Sequence, residues 1–195
     1  MSKKKTRRGM HLKRKQSLQT YSIIGNNIAA YNGKKDSFND MIHKLGPAVV
    51  TIQETKLYNK GKIKVEEYET FESLRKNGEG GGLATLIHSK LNPVQVCNSN
   101  DSKASKNILV TEADIGKERI RIINAYGPQE YASMEEKVEF YSGLDGEIQA
   151  AIDSEHYICV QLDGNGKFGS SIIKGDPHQM SNNGMLLLDL ITRKI

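Results

Sequence analysis

Tryptophan is absent from the 195 residues, proline occurs four times, and cysteine only twice, at Cys97 and Cys159. Two thiols so far apart exclude a disulfide framework, and no Cys/His cluster has the spacing of a zinc site. Both lie in apolar surroundings and read as buried free thiols of a reducing compartment. No apolar run approaches the ~20 residues that span a bilayer, so no membrane partner is expected. The basic N-terminus has no apolar segment behind it, which argues against a secretory signal.

Acid is missing from the start of the chain, where the first carboxylate is Asp36. Residues 1–19 carry Lys3, Lys4, Lys5, Arg7, Arg8, Lys13, Arg14 and Lys15. Taking these eight from the 28 basic residues leaves 20 against 23 acidic ones, so the remainder is net −3 although the whole chain is +5. The expectation is a disordered basic arm over 1–19 that attracts polyanions, with a nuclear address or a cytoplasmic one, ahead of one domain over 20–195.

What is present is a series of strongly apolar strands. "YSIIGNNIA" reads as a strand, and "DSFNDMIHKLG" as a helix with Phe38, Met41, Ile42 and Leu45 on one face. Asp36 or Ser37 suits its N-cap and Gly46 its stop. Ala48 to Ile52 is a buried strand, "RKNGEGGG" a loop, and "LATLIHS", "NPVQVCN", "NILVTEADI" and "ERIRIINAY" further strands. "SMEEKVEFYSGLDGEIQAAID" has helical spacing with Ser133 as cap, "HYICVQLD" is a strand, and a last helix starts over Met185 to Leu190. This order implies helices outside antiparallel-rich sheets rather than a regular strand–helix repeat.

Four of these strands end in polar side chains. "SIIGNN" delivers Asn26 and Asn27, "VVTIQE" Glu54, "IRIINAYGP" Asn124 and Tyr126, and "YICVQLDGN" Asp163 with Asn165. If the ends converge, they offer two carboxylates, several amides and a phenol. Hard oxygen donors of that kind suit Mg²⁺, which takes one or two protein carboxylates and keeps several waters. "GNGKFG" competes as a dinucleotide fingerprint, but "SSIIKGDP" behind it is a poor helix; "NGEGGG" lacks the Gly-Lys-Ser/Thr of a phosphate loop. No small-molecule organic cofactor is therefore expected. Lys56, Lys60, Lys62 and Lys64 read equally as a DNA groove or a solvated strand edge, and the Asn100 sequon has no secretory context.

"TIQETK", "INAYGP" and "LDGN", in that order after an Asn-bearing first strand, resemble the endonuclease/exonuclease/phosphatase superfamily. Within it, they are most similar to the apurinic-type endonuclease domains of non-LTR retrotransposons, which implies a reverse transcriptase as an associated activity. The resemblance covers roughly Tyr21 to the C-terminus and implies an α/β fold, a two-sheet β-sandwich flanked by helices. It is incomplete at the C-terminus, because the family's closing Ser-Asp-His triplet has no counterpart before Ile195. Leu162 and Ala30 stand where the family carries glycine. By the resemblance, Glu54 holds Mg²⁺ (or Mn²⁺) with Asn27 beside it orienting the carboxylate. Tyr126 helps hold the scissile phosphate, Asn124 and Lys56 contact substrate, and Asp163, steadied by Asn165, acts on the attacking water. The implied function is Mg²⁺-dependent cleavage of DNA, weak or lost in this chain. The alternatives are a non-catalytic nucleic-acid binder working through its arm, and a phosphatase on a small phosphate ester.

Overall fold

Two strand–helix–strand units set the architecture, and each brings two strands side by side in the same direction. The computed structural model describes residues 20–57, 63–74, 81–96, 104–170, 172–174 and 179–194. The expected arm over 1–19, Lys60, Lys62 and Cys97 lie outside the described residues. In the first unit, β1 (Ile23–Asn27) leads through α1 (Lys35–Leu45) to β2 (Val49–Gln53), which pairs parallel to β1. β3 (Tyr68–Ser73) and β4 (Leu83–His88) complete a four-stranded sheet of order β1-β2-β4-β3. In the second sheet, β5 (Val94–Gln95), β6 (Ile108–Ile115) and β7 (Glu118–Tyr126) are antiparallel neighbours. α2 (Met134–Asp153) then crosses to β8 (Tyr157–Asp163), parallel to β7, and α3 (Asn182–Lys194) follows.

The sheets pack face to face with a helical layer outside each, so the expected two-sheet sandwich is what forms. Alternation along β7 sends Ile120, Ile122, Asn124 and Tyr126 inward, while Ile123 and Ala125 face α2. Between the sheets lie Val49, Ile87, Ala113, Ile120 and Ile122. Outside the first sheet, Phe38 and Ile42 of α1 cover Val50, Ile52, Ala84 and Leu86. Outside the second, Phe140 and Leu144 of α2 and Leu190 of α3 cover Ile108, Val110, Ile123 and Ala125. Each such fully buried aliphatic or aromatic side chain contributes about 1.5–3 kcal/mol.

Local signals fare unevenly. Gly46 ends α1 in the left-handed conformation (φ 53°), and the Ser133 hydroxyl accepts from the Glu136 N–H at the start of α2, both as the sequence implies. α1 instead starts at Lys35 with no side-chain cap, and α3 starts at Asn182, ahead of Met185. The strand expected over "NPVQVCN" is only Val94–Gln95 within the described residues. β3 has no counterpart among the expected strands: "YETFES" is polar and half exposed, as an edge strand can be. Cys159 is half buried rather than buried. No helix among the described residues is long and apolar enough to cross a membrane.

Candidate active site

Parallel pairing puts strand C-termini level with each other, and both parallel pairs point the same way. Asn27 lies opposite Gln53, one residue before Glu54, and Tyr126 lies opposite Asp163. The sheets are tied across by Gln53, whose Nε2 donates to Asn124 Oδ1 at 2.7 Å. All four polar strand ends therefore meet at one end of the sandwich. There, Asn27 Nδ2 donates to Glu54 Oε1 at 2.9 Å and to Asp163 Oδ2 at 2.7 Å. One amide nitrogen thus bridges two carboxylates that are 109 residues apart in the chain.

Each member is fixed by further bonds. The Tyr126 hydroxyl donates to Glu54 Oε1 at 2.8 Å and accepts from Gln129 Nε2 at 2.6 Å. Asp163 Oδ1 accepts the Asn165 N–H at 3.2 Å, and Asn165 Nδ2 donates to Gly127 O at 2.8 Å. Asn183, wholly buried at the start of α3, donates to Pro128 O and Asn165 O, so the helix clamps both loops. Lys137, only 2% exposed, holds the next turn by donating to Glu130 O at 2.5 Å. Gly127 and Gly184 permit this closeness. A Cβ on Gly127 would meet Gly164 O at 2.8 Å, and one on Gly184 would overlap Lys167 O.

The backbone is strained where these groups project. Glu54 (φ 53°), Lys56 (φ 50°) and Asn165 (φ 46°) all occupy the left-handed region, at about 1–2 kcal/mol for a residue with a Cβ. The first loop is held there by Ala30 N–H to Glu54 O, Thr55 N–H to Gly82 O and Lys56 N–H to Gly81 O. Strain held at a cluster of polar side chains is a mark of a functional site. A cleft of about 640 Å³ runs along the cluster between Gly25, Asn26 and Asn27 of β1 and Gln161 and Asp163 of β8.

No family model matches the sequence, and no curated protein matches it in sequence. Solved structures do match in fold. The endonuclease domain of TRAS1, a telomere-specific non-LTR retrotransposon, is similar with a TM-score of 0.64 at 14% identity, over 89% of this chain and 70% of that one. An AP endonuclease from Archaeoglobus fulgidus gives 0.65 at 18% identity, over 89% and 71%. The 3′ phosphatase NExo from Neisseria, solved bound to a product DNA hairpin, gives 0.62 at 13%, over 89% and 71%.

The chain has the endonuclease/exonuclease/phosphatase fold. The two departures from that superfamily's glycine pattern now have a physical reading. Leu162 points to the outer face of its sheet and packs with Leu144 and Leu187, away from the carboxylates. Ala30 adopts φ 98°, a conformation natural to glycine, and carries the strain that a glycine there would not.

The residues expected in the site differ in what their side chains reach. Asn124 does not reach substrate. It is 0% exposed, and its amide is spent on Gln53, Ile52 O, Ala84 O and Thr85 Oγ1, so it ties the sheets together. Asn27 turns its NH₂ group to both carboxylates and accepts the Ala29 N–H on Oδ1, so it orients the acids and does not face a cation with its oxygen. The Tyr126 hydroxyl donates its hydrogen bond to Glu54. Lys56 Nζ lies 4.0 Å from Glu54 Oε2 at the crevice rim. Lys64 is exposed and lies outside any strand, and its exposure is compatible with a DNA-facing position as much as with a solvated one. The run "GNGKFG" forms a loop with no helix beginning in it. Gln129, Lys137 and Asn183 were invisible as site residues in the sequence, because nothing in a lone amide or a helical lysine marks it as turned inward.

The Asn27 hydrogen bond holds the Glu54 carboxyl below the usual carboxylate range against the opposing effect of burial, with Tyr126 and Lys56 acting in the same direction. Burial, and then the bond to Glu54, push the Tyr126 phenol up to about 12. Burial also raises Tyr141 to about 12. Between the ordinary value of 10.0 and about 12, the unfolded chain has lost protons that the folded protein keeps. Stability should accordingly fall as pH rises through that window. A tyrosinate absorbance titration is expected to show phenols that ionise only near pH 12, one fewer after Tyr126→Phe; a variant whose late-titrating population is unchanged would contradict this.

Proposed function

We propose that this crevice cleaves phosphodiester bonds of DNA with the help of Mg²⁺. The observation that carries the reading is the single Asn27 amide donating to both Glu54 and Asp163, which turns two distant acids into one site. The donor set suits the ion. Both acids are hard oxygen donors, and Glu54 is held in its ionised form. No group of three His, Cys, Asp or Glu side chains among the described residues is placed to hold a metal ion by itself, and Mg²⁺ needs only one or two carboxylates beside its waters and the substrate phosphate. Glu54 would hold it through Oε2, since Oε1 already accepts from Asn27 and Tyr126.

A bound Mg²⁺, or Mn²⁺ in its place, neutralises charge that develops on the phosphate and the leaving oxygen. The chain's own groups do the rest. Asp163, fixed on both oxygens by Asn27 and Asn165, takes a proton from the attacking water. Tyr126 stays protonated at neutral pH and can swing its proton from Glu54 to a phosphate oxygen. Lys56 at the rim adds positive charge for the DNA backbone. The basic arm over 1–19 supplies more, and its two clusters suit a nuclear polyanion.

Among the described histidines, His43 is on α1, His88 ends β4 and His156 precedes β8, all at the opposite end of the sandwich from the crevice. With none of these described imidazoles at the crevice, the rate that the described residues alone support should lie about 10²–10³ below that of a site with one more preorganised donor. Conversion of supercoiled plasmid to nicked circle tests the reading. Slow nicking that requires Mg²⁺, stops with chelator and survives deletion of residues 1–19 is the expected result. DNA retention that vanishes with the arm, with no Mg²⁺-dependent nicking, would make the chain a non-catalytic binder instead.

A further inference from the structure

A phenol has a single proton to give, so the direction of that one hydrogen bond decides what Tyr126 can do. In the crevice it points at Glu54 Oε1, 2.8 Å away, while Gln129 Nε2 donates to the phenol oxygen at 2.6 Å. Turned the other way round, the Gln129 amide would present its oxygen, and Glu54 and Gln129 would compete for the same proton. The bonds therefore run in one direction, from Gln129 to Tyr126 to Glu54, and Asn27 donates to Glu54 as well.

The turn that carries Gln129 is clamped on both sides. Its own carbonyl oxygen accepts the Ala132 N–H at 2.9 Å, which closes the turn. The carbonyl before it, Pro128 O, accepts from Asn183 Nδ2 at 2.7 Å, and the one after it, Glu130 O, accepts from Lys137 Nζ. Asn183 is 0% exposed and Lys137 2%. A buried ammonium is costly unless it is bonded and paired, and this one is spent on Glu130, whose Oε1 lies 3.4 Å from Nζ. The strand leading into the turn, β7, is interior to its sheet, between β6 and β8.

We propose that Gln129 is a positioning residue that fixes the direction of the Tyr126 O–H bond, with buried Lys137 and Asn183 holding its turn in place. Its effect on rate rests on the nuclease reading of the crevice; the bond direction does not. A phenol that accepts from Gln129 is left to donate, to Glu54 at rest and to a phosphate oxygen when one arrives. An acceptor at position 129 would draw the proton away from both.

Two substitutions separate this role from space-filling. Gln129→Glu keeps the shape of the side chain and reverses the bond, since a carboxylate only accepts. Gln129→Met keeps the length and removes the donor without supplying a strong acceptor. At saturating DNA, Gln129→Glu should lower the Mg²⁺-dependent nicking rate about 10²-fold, as loss of one preorganised donor does. Gln129→Met should lower it by no more than about tenfold, the net worth of one neutral hydrogen bond. A side chain that only fills space would give the opposite order, because Glu is the closer copy of Gln. With Tyr126→Phe also in place, the two variants should agree within about twofold, which removes the added charge as the cause. Carbon-13 resonances at neutral pH read the bond without turnover. Gln129→Met should move Tyr126 Cζ and leave Glu54 Cδ in place, whereas Gln129→Glu should move both. A Glu54 Cδ that stays put in Gln129→Glu, a Met variant slower than the Glu variant, or a gap between them that survives Tyr126→Phe would each overturn the proposal. A wild-type chain that nicks nothing while both carbons behave as described would sink the nuclease reading alone and uphold the bond direction.

Discussion

Asp163→Asn lowers the Mg²⁺-dependent nicking rate by about 10²–10⁴-fold, the range that general-base groups typically supply. The replacement keeps the shape of the side chain but cannot keep its bonds. Asp163 accepts on both oxygens, from Asn27 Nδ2 at 2.7 Å and from the Asn165 N–H at 3.2 Å. An amide in the same place presents an NH₂ group to one of those donors whichever way it is turned. The variant therefore loses the proton acceptor for water and also loosens Asn27, and through it Glu54. The loss should appear in kcat, with substrate retention little changed, because the basic arm and Lys56 are untouched. Single-turnover nicking of wild type and variant at matched Mg²⁺ measures it. A loss smaller than about tenfold would mean that Asp163 takes no part in the chemistry.

Asn124→Leu should destabilise the fold by about 2–4 kcal/mol, which corresponds to a fall in Tm of about 5–15 °C for a chain of this size. The two side chains share one branched skeleton, so the chief cost is polar, with the bulkier methyl groups adding to it. Gln53 Nε2 loses its acceptor in a wholly buried place, and Ala84 O and Ile52 O lose a donor. An unsatisfied buried group costs about 1–3 kcal/mol, and these lie where the two sheets touch. Thermal melts followed by circular dichroism give the answer. A shift under about 2 °C would show that the amide cross-link holds nothing together.

The four polar strand ends were legible because each closes a run of buried aliphatic residues, a pattern with a strong one-dimensional signal. Their convergence was not. It depends on two parallel pairings and on the face-to-face packing of the sheets, and neither follows from any local stretch. Asn124 shows the limit. A strand buried on both faces gives no alternation from which to decide that this amide, between Ile122 and Tyr126 on the inward face, bonds across the sandwich and not to a ligand. β3 escaped because "YETFES" carries two acids and is half exposed, so its period-two signal is weak. The left-handed backbone at Glu54, Lys56 and Asn165 was out of reach for another reason. Nothing in those residue types requires it, and only the bonds that pin the loops do. Lys137 reads as a solvated helical position and is instead almost fully buried against Glu130.

Mn²⁺ binding followed by electron paramagnetic resonance tests the shared crevice most directly, since it requires no turnover. One site per chain is predicted, abolished by Glu54→Gln, weakened by Asn27→Ala, which frees both carboxylates, and unaffected by removing residues 1–19. Binding that survives Glu54→Gln intact, or disappears with the arm, would contradict a metal site built on the strand ends.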